Sequence, residues 1–326
     1  MKKAIIIGAG VMGLSAGYYL LKNGVEADIY EAEASIGGMA AHFDFDDISI
    51  EKFYHFICKP DKSLFLILKE LGILDKLKWT PTKMGYFYDG KLYKWGTPPA
   101  LISFPKLDLF SKIRYGLHAM YATKIANFSK LDKKNAVEWI KKWIGNSAYK
   151  VLWQKLFELK FFKYTDKLSA AWIASRIRRV GLSRKNIMQE GLGYIEGGSS
   201  ALIEALEKNI NAMGGKIYTN SQVDEINVEN LNEVFINVNN TTARADFIIS
   251  TIPLPIVANI LKGAPRQIID KYKKVTNIPV VCAVCKLKQK ITENFWLNIN
   301  DDSISIPGII EYTNLNVLNG NDHIVY

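Results

Sequence analysis

The apolar run Ala4-Ile-Ile-Ile7 passes directly into Gly8-Ala-Gly-Val-Met-Gly13, then into a helical stretch and a second short apolar run that ends on Glu31. This order leaves the chain little choice: a strand turns sharply, enters a helix and returns as a second strand beside the first. Gly8 permits the tight turn, Gly10 keeps the turn's surface free of a Cβ, and Gly13 lets the helix lie close on the sheet. The helix is expected from about Val11 to Asn23, with Gly24 as its left-handed cap.

Such a helix aims free N–H groups and its positive dipole end at whatever lies over the turn, which suits a pyrophosphate. Seventeen residues separate Gly13 from Glu31, which closes the strand Ala27–Tyr30 and can accept hydrogen bonds from ribose hydroxyls. The following Ala32-Glu33-Ala34 holds no arginine for a 2′-phosphate, which disfavours NADP. The unit therefore reads as a grip on the ADP half of a dinucleotide, made by Gly8, Ala9, Gly10, Val11, Met12, Gly13, Glu31 and Ala32. A second glycine turn, Gly37-Gly38-Met39-Ala40, is expected to bring backbone close to the same ligand, with a plain loop as the alternative.

A chain of 326 residues, 48% hydrophobic and 23% charged, suits a soluble globular protein of two domains. No apolar run has the length of a membrane span, and the first strand starts within three residues of Met1, leaving no room for a signal peptide. The cytoplasm is the expected compartment, with peripheral attachment to a membrane left open. The net charge of +10 is mostly lysine, denser and more aromatic from Leu92 to Lys185, with Arg176, Arg178, Arg179, Arg184 and Lys185 near its end. Solvated helix faces are the plain reading; attraction to anionic lipids or a phosphorylated substrate is the sharper one. No nucleic-acid module is present, so that partner is not expected. Cys282 and Cys285 fall in a β-like run, Ile278–Leu287, where residues three apart face opposite sides; they read as core filling, and no metal site is expected.

Farther along, a helix is expected from about Ser63 to Leu71, capped by Asp61 and ended by Gly72. Met84–Tyr88 and Lys91–Trp95 flank Asp89-Gly90 as a hairpin. From about 107 to 180 the pattern is helical: Asn135 with Glu138 starts one helix, and Val137, Ile140 and Ile144 mark its apolar face. Trp139, Trp143, Trp153, Phe157, Phe161 and Phe162 are expected in its core, with a substrate pocket as the second reading. The α/β pattern returns with Gly197-Gly198, a helix Ala201–Ala212, the stop Gly214-Gly215 and a strand Lys216–Thr219. Glu233–Val238 and Arg244–Ile249 are expected to pair across Asn239-Asn240, and Asp246–Pro253 to return as a strand to the first sheet. The fold class is α/β with an α+β insert: a Rossmann-like domain of residues 1–78 and 188–262, interrupted by a discontinuous substrate domain of 79–187 and 263–326 that holds a mixed sheet and the helical insert.

These segments together resemble the glutathione-reductase-like FAD proteins, a superfamily that includes flavin amine oxidases, protoporphyrinogen oxidases and phytoene-desaturase-like enzymes. Gly8–Gly13 with Glu31 and Gly37-Gly38 resembles its N-terminal FAD signature, and Leu192-Gly-Tyr-Ile-Glu-Gly-Gly198 its mid-chain segment. Ser221–Ile226 resembles the strand whose valine backbone meets the adenine, here Val223, and Ser250-Thr251-Ile252-Pro253 the strand-end motif, which adds Thr251 to the expected contacts. Ile50-Glu-Lys-Phe-Tyr-His55 is most similar to the protoporphyrinogen-oxidase-like members. The resemblance makes the split domain an FAD-binding one and FAD the cofactor.

It also implies an oxidoreductase that moves a hydride from a small organic substrate to the flavin. Tyr54, His55 and Tyr194 are the polar candidates beside substrate, with Glu196, Lys160 and Arg176 behind them, each with a packing or surface role as its alternative. Where amine oxidases place a lysine by the flavin, Val281 and Cys282 stand here. Two other readings remain: a non-redox flavoenzyme similar to UDP-galactopyranose mutase, and a catalytically silent flavin-binding chain. The ending just past Asn319-Gly320 is what a C-terminally truncated member would show.

Overall fold

A computed structural model describes residues 2–230, 233–318 and 322–326; the Asn319-Gly320 turn lies outside the described residues. The chain divides into two compact units, one of Met1–His55, Phe65–Lys76 and Ile195–Val281, the other of Phe56–Leu64, Leu77–Tyr194 and Cys282–Tyr326.

The first unit is built on a four-stranded parallel sheet. In order across it run Lys216–Tyr218, β2 (Glu26–Tyr30), β1 (Lys3–Ile7) and Phe247–Ser250. Ile5, Ile6 and Ile29 are fully buried, as strands covered on both faces require. Between β1 and β2 runs α1 (Val11–Lys22), which Gly24 ends at φ +76° while Val25 N–H reaches back to Leu20 O. A Cβ on Gly17 would stand 2.7 Å from Ile29 Cδ1, so helix and sheet are in close approach. On the other face, Val223, Ile226, Ile236 and Val238 of a small second sheet pack with Ile5, Ile7 and Tyr30.

Two expectations for this unit change and one holds. Val234–Val238 pairs with Thr241–Ala245, not with Arg244–Ile249, because the turn is only Asn239 and Asn240, both at positive φ, and strand pairing resumes at once. Phe247–Ser250 instead joins β1, as Asp246–Pro253 was expected to do. Residues 263–281 belong to this unit, since the Arg266–Lys273 helix packs on Leu254–Ile260 and sets Tyr272 against the same core.

The second unit carries the mixed sheet Gly308–Ile310, Trp296–Ile299, Met84–Tyr88, Lys91–Trp95. Asp89 (φ +54°) and Gly90 (φ +67°) form the hairpin turn, and Gly90 N–H donates to Asp301 Oδ2 (2.8 Å). Residues 56–64 and 188–194 lie here because Ile57 and Gly193 exchange backbone hydrogen bonds of 2.7 Å. Helices begin earlier than 107, at Pro98–Ser103, where Thr97 caps and proline fills the first position. The helix Ala136–Tyr149 starts as expected, with Glu138 N–H on Asn135 Oδ1 (3.0 Å) and Val137, Ile140 and Ile144 buried.

Trp139 and Phe157 are buried in this core, with Trp143, Trp153 and Phe161 packed on it. Phe162 is not: it ends the Lys155–Phe161 helix at φ +49°, and its ring is 64% exposed. Asp61 does not cap the Lys62–Glu70 helix with its side chain; its carboxylate accepts from Cys58 N–H (2.8 Å) and from Arg179 (2.8 and 2.6 Å). The Ile278–Leu287 run yields a strand only at Cys285–Leu287, paired with His323–Val325. Among the described residues nothing pairs with 278–284, Val281 is 98% exposed and Cys285 is exposed, so the two cysteines do not fill a core.

Candidate functional site

The turn after β1 is held from behind. Thr251 Oγ donates to Ile7 O (2.9 Å) and lies 3.2 Å from Gly8 O, while Gly8 N–H donates to Tyr30 O (2.8 Å). Gly8 sits at φ +97°, and a Cβ there would meet Thr251 Oγ at 2.7 Å. A Cβ on Gly13 would collide with the carbonyl oxygen of Gly8, which explains that glycine by packing alone. Gly10 differs: no protein atom lies within 4 Å of where its Cβ would stand. The first turn of α1, from Val11, has no side-chain cap and no acidic residue, so its orphan N–H groups face an open surface.

Glu31 is fixed at the edge of this surface. Its Oε2 accepts from Ala9 N–H (2.7 Å) and its Oε1 from Glu33 N–H (3.0 Å), leaving each carboxylate oxygen further acceptor capacity. Ala9 is buried and offers only backbone, whereas Met12 and Met39 are exposed beside the turns, as is Ala32. The second glycine turn folds onto the first: Gly37 N–H donates to Ala9 O (2.8 Å), and a Cβ on Gly38 would lie 3.2 Å from Gly10 Cα. Its glycines thus serve approach between two turns. Val223 is buried at the start of Val223–Asn227, beside Ser221, whose N–H donates to Glu31 O (2.7 Å).

A residue passed over in the sequence joins the distant motifs. Glu51, 3% exposed, accepts from Ser199 N–H (2.8 Å) and from His55 N–H (2.9 Å), with His55 Nδ1 3.0 Å away. Ser199 Oγ in turn donates to Ala40 O (2.6 Å), and a Cβ on Gly198 would strike the His42 ring. The Gly37–Ala40 turn, His55 and the Gly197-Gly198 turn are thereby bound into one hydrogen-bonded node. A lone acid ending the alternating strand Ile48–Glu51 was the available signal. Tyr54 lies half-buried beside His55 in the first unit, and Glu196 is exposed there; Tyr194, half-buried, belongs to the second unit.

The second unit holds the other polar candidates. Lys160 is half-buried, its Nζ 5.8 Å from the Trp296 ring, and burial, then the neighbouring Arg176, pulls its pKa down. Arg176 is exposed over Trp172. The arginine series is not one patch: Arg178 stacks on Phe128, and Arg179 is tied to Asp61.

A parallel sheet with an open glycine turn, an uncapped helix start and an acid at the end of the next strand defines the dinucleotide-binding class of α/β proteins. The chain belongs to the flavin containing amine oxidoreductase family, whose family model matches residues 12–317. Among curated relatives it is 25% identical over 241 residues to the 15-cis-phytoene desaturase of Synechococcus elongatus, covering 68% of this chain and 50% of that one. The chain spans about half the length of the first curated relatives it matches. Its fold is similar to that of an oxidoreductase from Methanosarcina mazei (TM-score 0.72, 18% identity, 99% of this chain and 78% of the other). It is equally similar to reduced UDP-galactopyranose mutase (TM-score 0.72, 16% identity, 100% and 74%).

Proposed function

We propose that the first unit binds FAD with its pyrophosphate over Gly8–Gly13, and that the protein is an oxidoreductase acting on a small organic molecule. The observation that carries this reading is the open Gly10 surface facing an uncapped, acid-free helix start, with Glu31 held at its edge. The residues fit the group. Backbone N–H groups at the start of α1 bind phosphate, Glu31 takes ribose hydroxyls, and the 221–223 segment flanks the adenine. Bound there, FAD supplies an acceptor for a hydride from a substrate C–H or C–N centre. Thr251 keeps the turn in place, and the Glu51 node fixes His55 and the turn at Gly197-Gly198.

The second unit is proposed to take the substrate, with Tyr194, Lys160 and Arg176 as its polar candidates; Tyr54 and His55 lie in the first unit and are its own polar candidates. The mutase alternative has weaker support, because Arg178 and Arg179 are already engaged and do not form a diphosphate clamp. The test is anaerobic bleaching of the FAD-loaded protein by a panel holding a primary amine, a porphyrinogen and a carotene precursor. Bleaching by one class, with turnover once an electron acceptor is added, is the expected result. Isomerisation of a nucleotide sugar without net redox change would contradict it.

A further inference from the structure

The helix Leu109–Lys124 buries one side and leaves large apolar residues exposed on the other. Ser111, His118 and Ala122 are buried toward the helices Ala136–Tyr149 and Ala170–Gly181. Leu109, Phe110, Ile113, Leu117 and Met120 are 48 to 72% exposed. At 3.6 residues per turn these five fall in an arc of about 100°, turned away from the buried side. Single exposed apolar residues are ordinary, but five large ones in register on one helix make a patch. Ile102 and Ile125, just outside the helix ends, are also exposed.

The rim of the patch is cationic. Residues 96–137 hold seven lysines and arginines against two aspartates. Both aspartates are engaged locally: Asp108 caps this helix through Ser111 N–H (2.9 Å), and Asp132 accepts from Ser169 Oγ (2.9 Å). Of the seven cations, Lys106 is paired with Asp89 and Arg114 donates to the Lys142 and Trp143 carbonyls, which leaves the lysines as the main source of the positive rim. On the helix itself Lys112 and Arg114 lie to either side of the apolar arc, and Lys124 stands at its C-terminal end.

We propose that this face docks in the plane of an anionic phospholipid bilayer, its apolar arc at the headgroup–acyl boundary and its lysines at the level of the phosphates. Charge selects this occupant over a second copy of the chain: self-pairing of the patch would set one cationic rim against another, whereas anionic headgroups complement it. Among the described residues no helix is long and apolar enough to cross a membrane, and the contact proposed is interfacial. It stands independently of the cofactor reading.

The test is co-sedimentation with vesicles of phosphatidylcholine alone and of phosphatidylcholine mixed with phosphatidylglycerol. The protein is expected to partition onto the anionic vesicles, less so as salt is raised. Ile113→Glu with Leu117→Glu is expected to lower that partition roughly tenfold or more, with circular dichroism and thermal midpoint unchanged. Lys112→Gln with Lys124→Gln should lower it about fivefold per lysine on anionic vesicles only. Absence of partition, or partition indifferent to the glutamates, overturns the proposal. So does a dimer that the glutamates dissociate while vesicle binding is nil, which would assign the face to a second copy.

Discussion

At the scale of single residues, the glycines of the turn were readable because positive φ and close approach exclude other side chains. Gly13→Ala tests this: with a Cβ driven into the Gly8 carbonyl, the variant should lose about 1–3 kcal/mol of stability, read from urea unfolding. Unchanged stability would mean that the turn is not packed as described. The partner of Glu51 was not readable, because Ser199 lies 148 residues away and the local pattern shows only an acid at the end of a strand. Glu51→Ala leaves the buried Ser199 N–H unpaired and should cost about 1–3 kcal/mol; Glu51→Gln, which retains an acceptor, should cost less.

His118 supplies the pH dependence. It is 1% exposed between Trp139 and Trp143, Nε2 has no partner among the described residues, and burial lowers its pKa to about 4. The unfolded chain binds the proton near pH 6.5, so folded stability is full above about pH 6.5 and falls as pH drops toward 4. The loss approaches about 3 kcal/mol at full effect. Thermal midpoints between pH 7 and 4.5 should fall less steeply in His118→Phe than in the parent protein; equal slopes would show that His118 is protonated without cost.

At the scale of elements, periodicity and turn chemistry carried far: α1, the hairpin at Asp89-Gly90 and the Asn135 helix start follow the pattern of their residues. The misreadings share a cause, which is that an element also needs a partner. Ile278–Cys285 has strand composition, but residues 278–284 have no neighbouring strand among the described residues. Asp61 has a cap's position, but Arg179 and Cys58 N–H hold its carboxylate. Asp61→Ala therefore removes the partner of a half-buried arginine and should cost about 2 kcal/mol. Arg179→Lys should cost less, losing only the two-point geometry. Equal unfolding midpoints for the parent and Asp61→Ala would contradict that role.

At the scale of the whole molecule, the return of the α/β pattern after residue 188 showed that the chain leaves its first sheet and comes back to it, and the parallel strands Lys216–Tyr218 and Phe247–Ser250 bear this out. The limits of the units were less readable, because residues 56–64 and 263–281 are sorted by contacts such as Ile57 with Gly193 and Tyr272 with the Val223 core. Charge density from Leu92 to Lys185 gave no sign of which helix face would be left bare; burial of His118 on the opposite side settles it. The central claim is that the Gly10 surface receives the ADP half of FAD, and equilibrium titration with FAD, competed by ADP, tests it most directly. Gly10→Val is the control, since the protein itself leaves room for a Cβ there. The expected result is one FAD per chain, displaced by ADP, and bound about a hundredfold more weakly by a Gly10→Val protein of unchanged fold, the equivalent of ~3 kcal/mol of steric cost. No binding by the parent, or binding that neither ADP nor the valine disturbs, would contradict it.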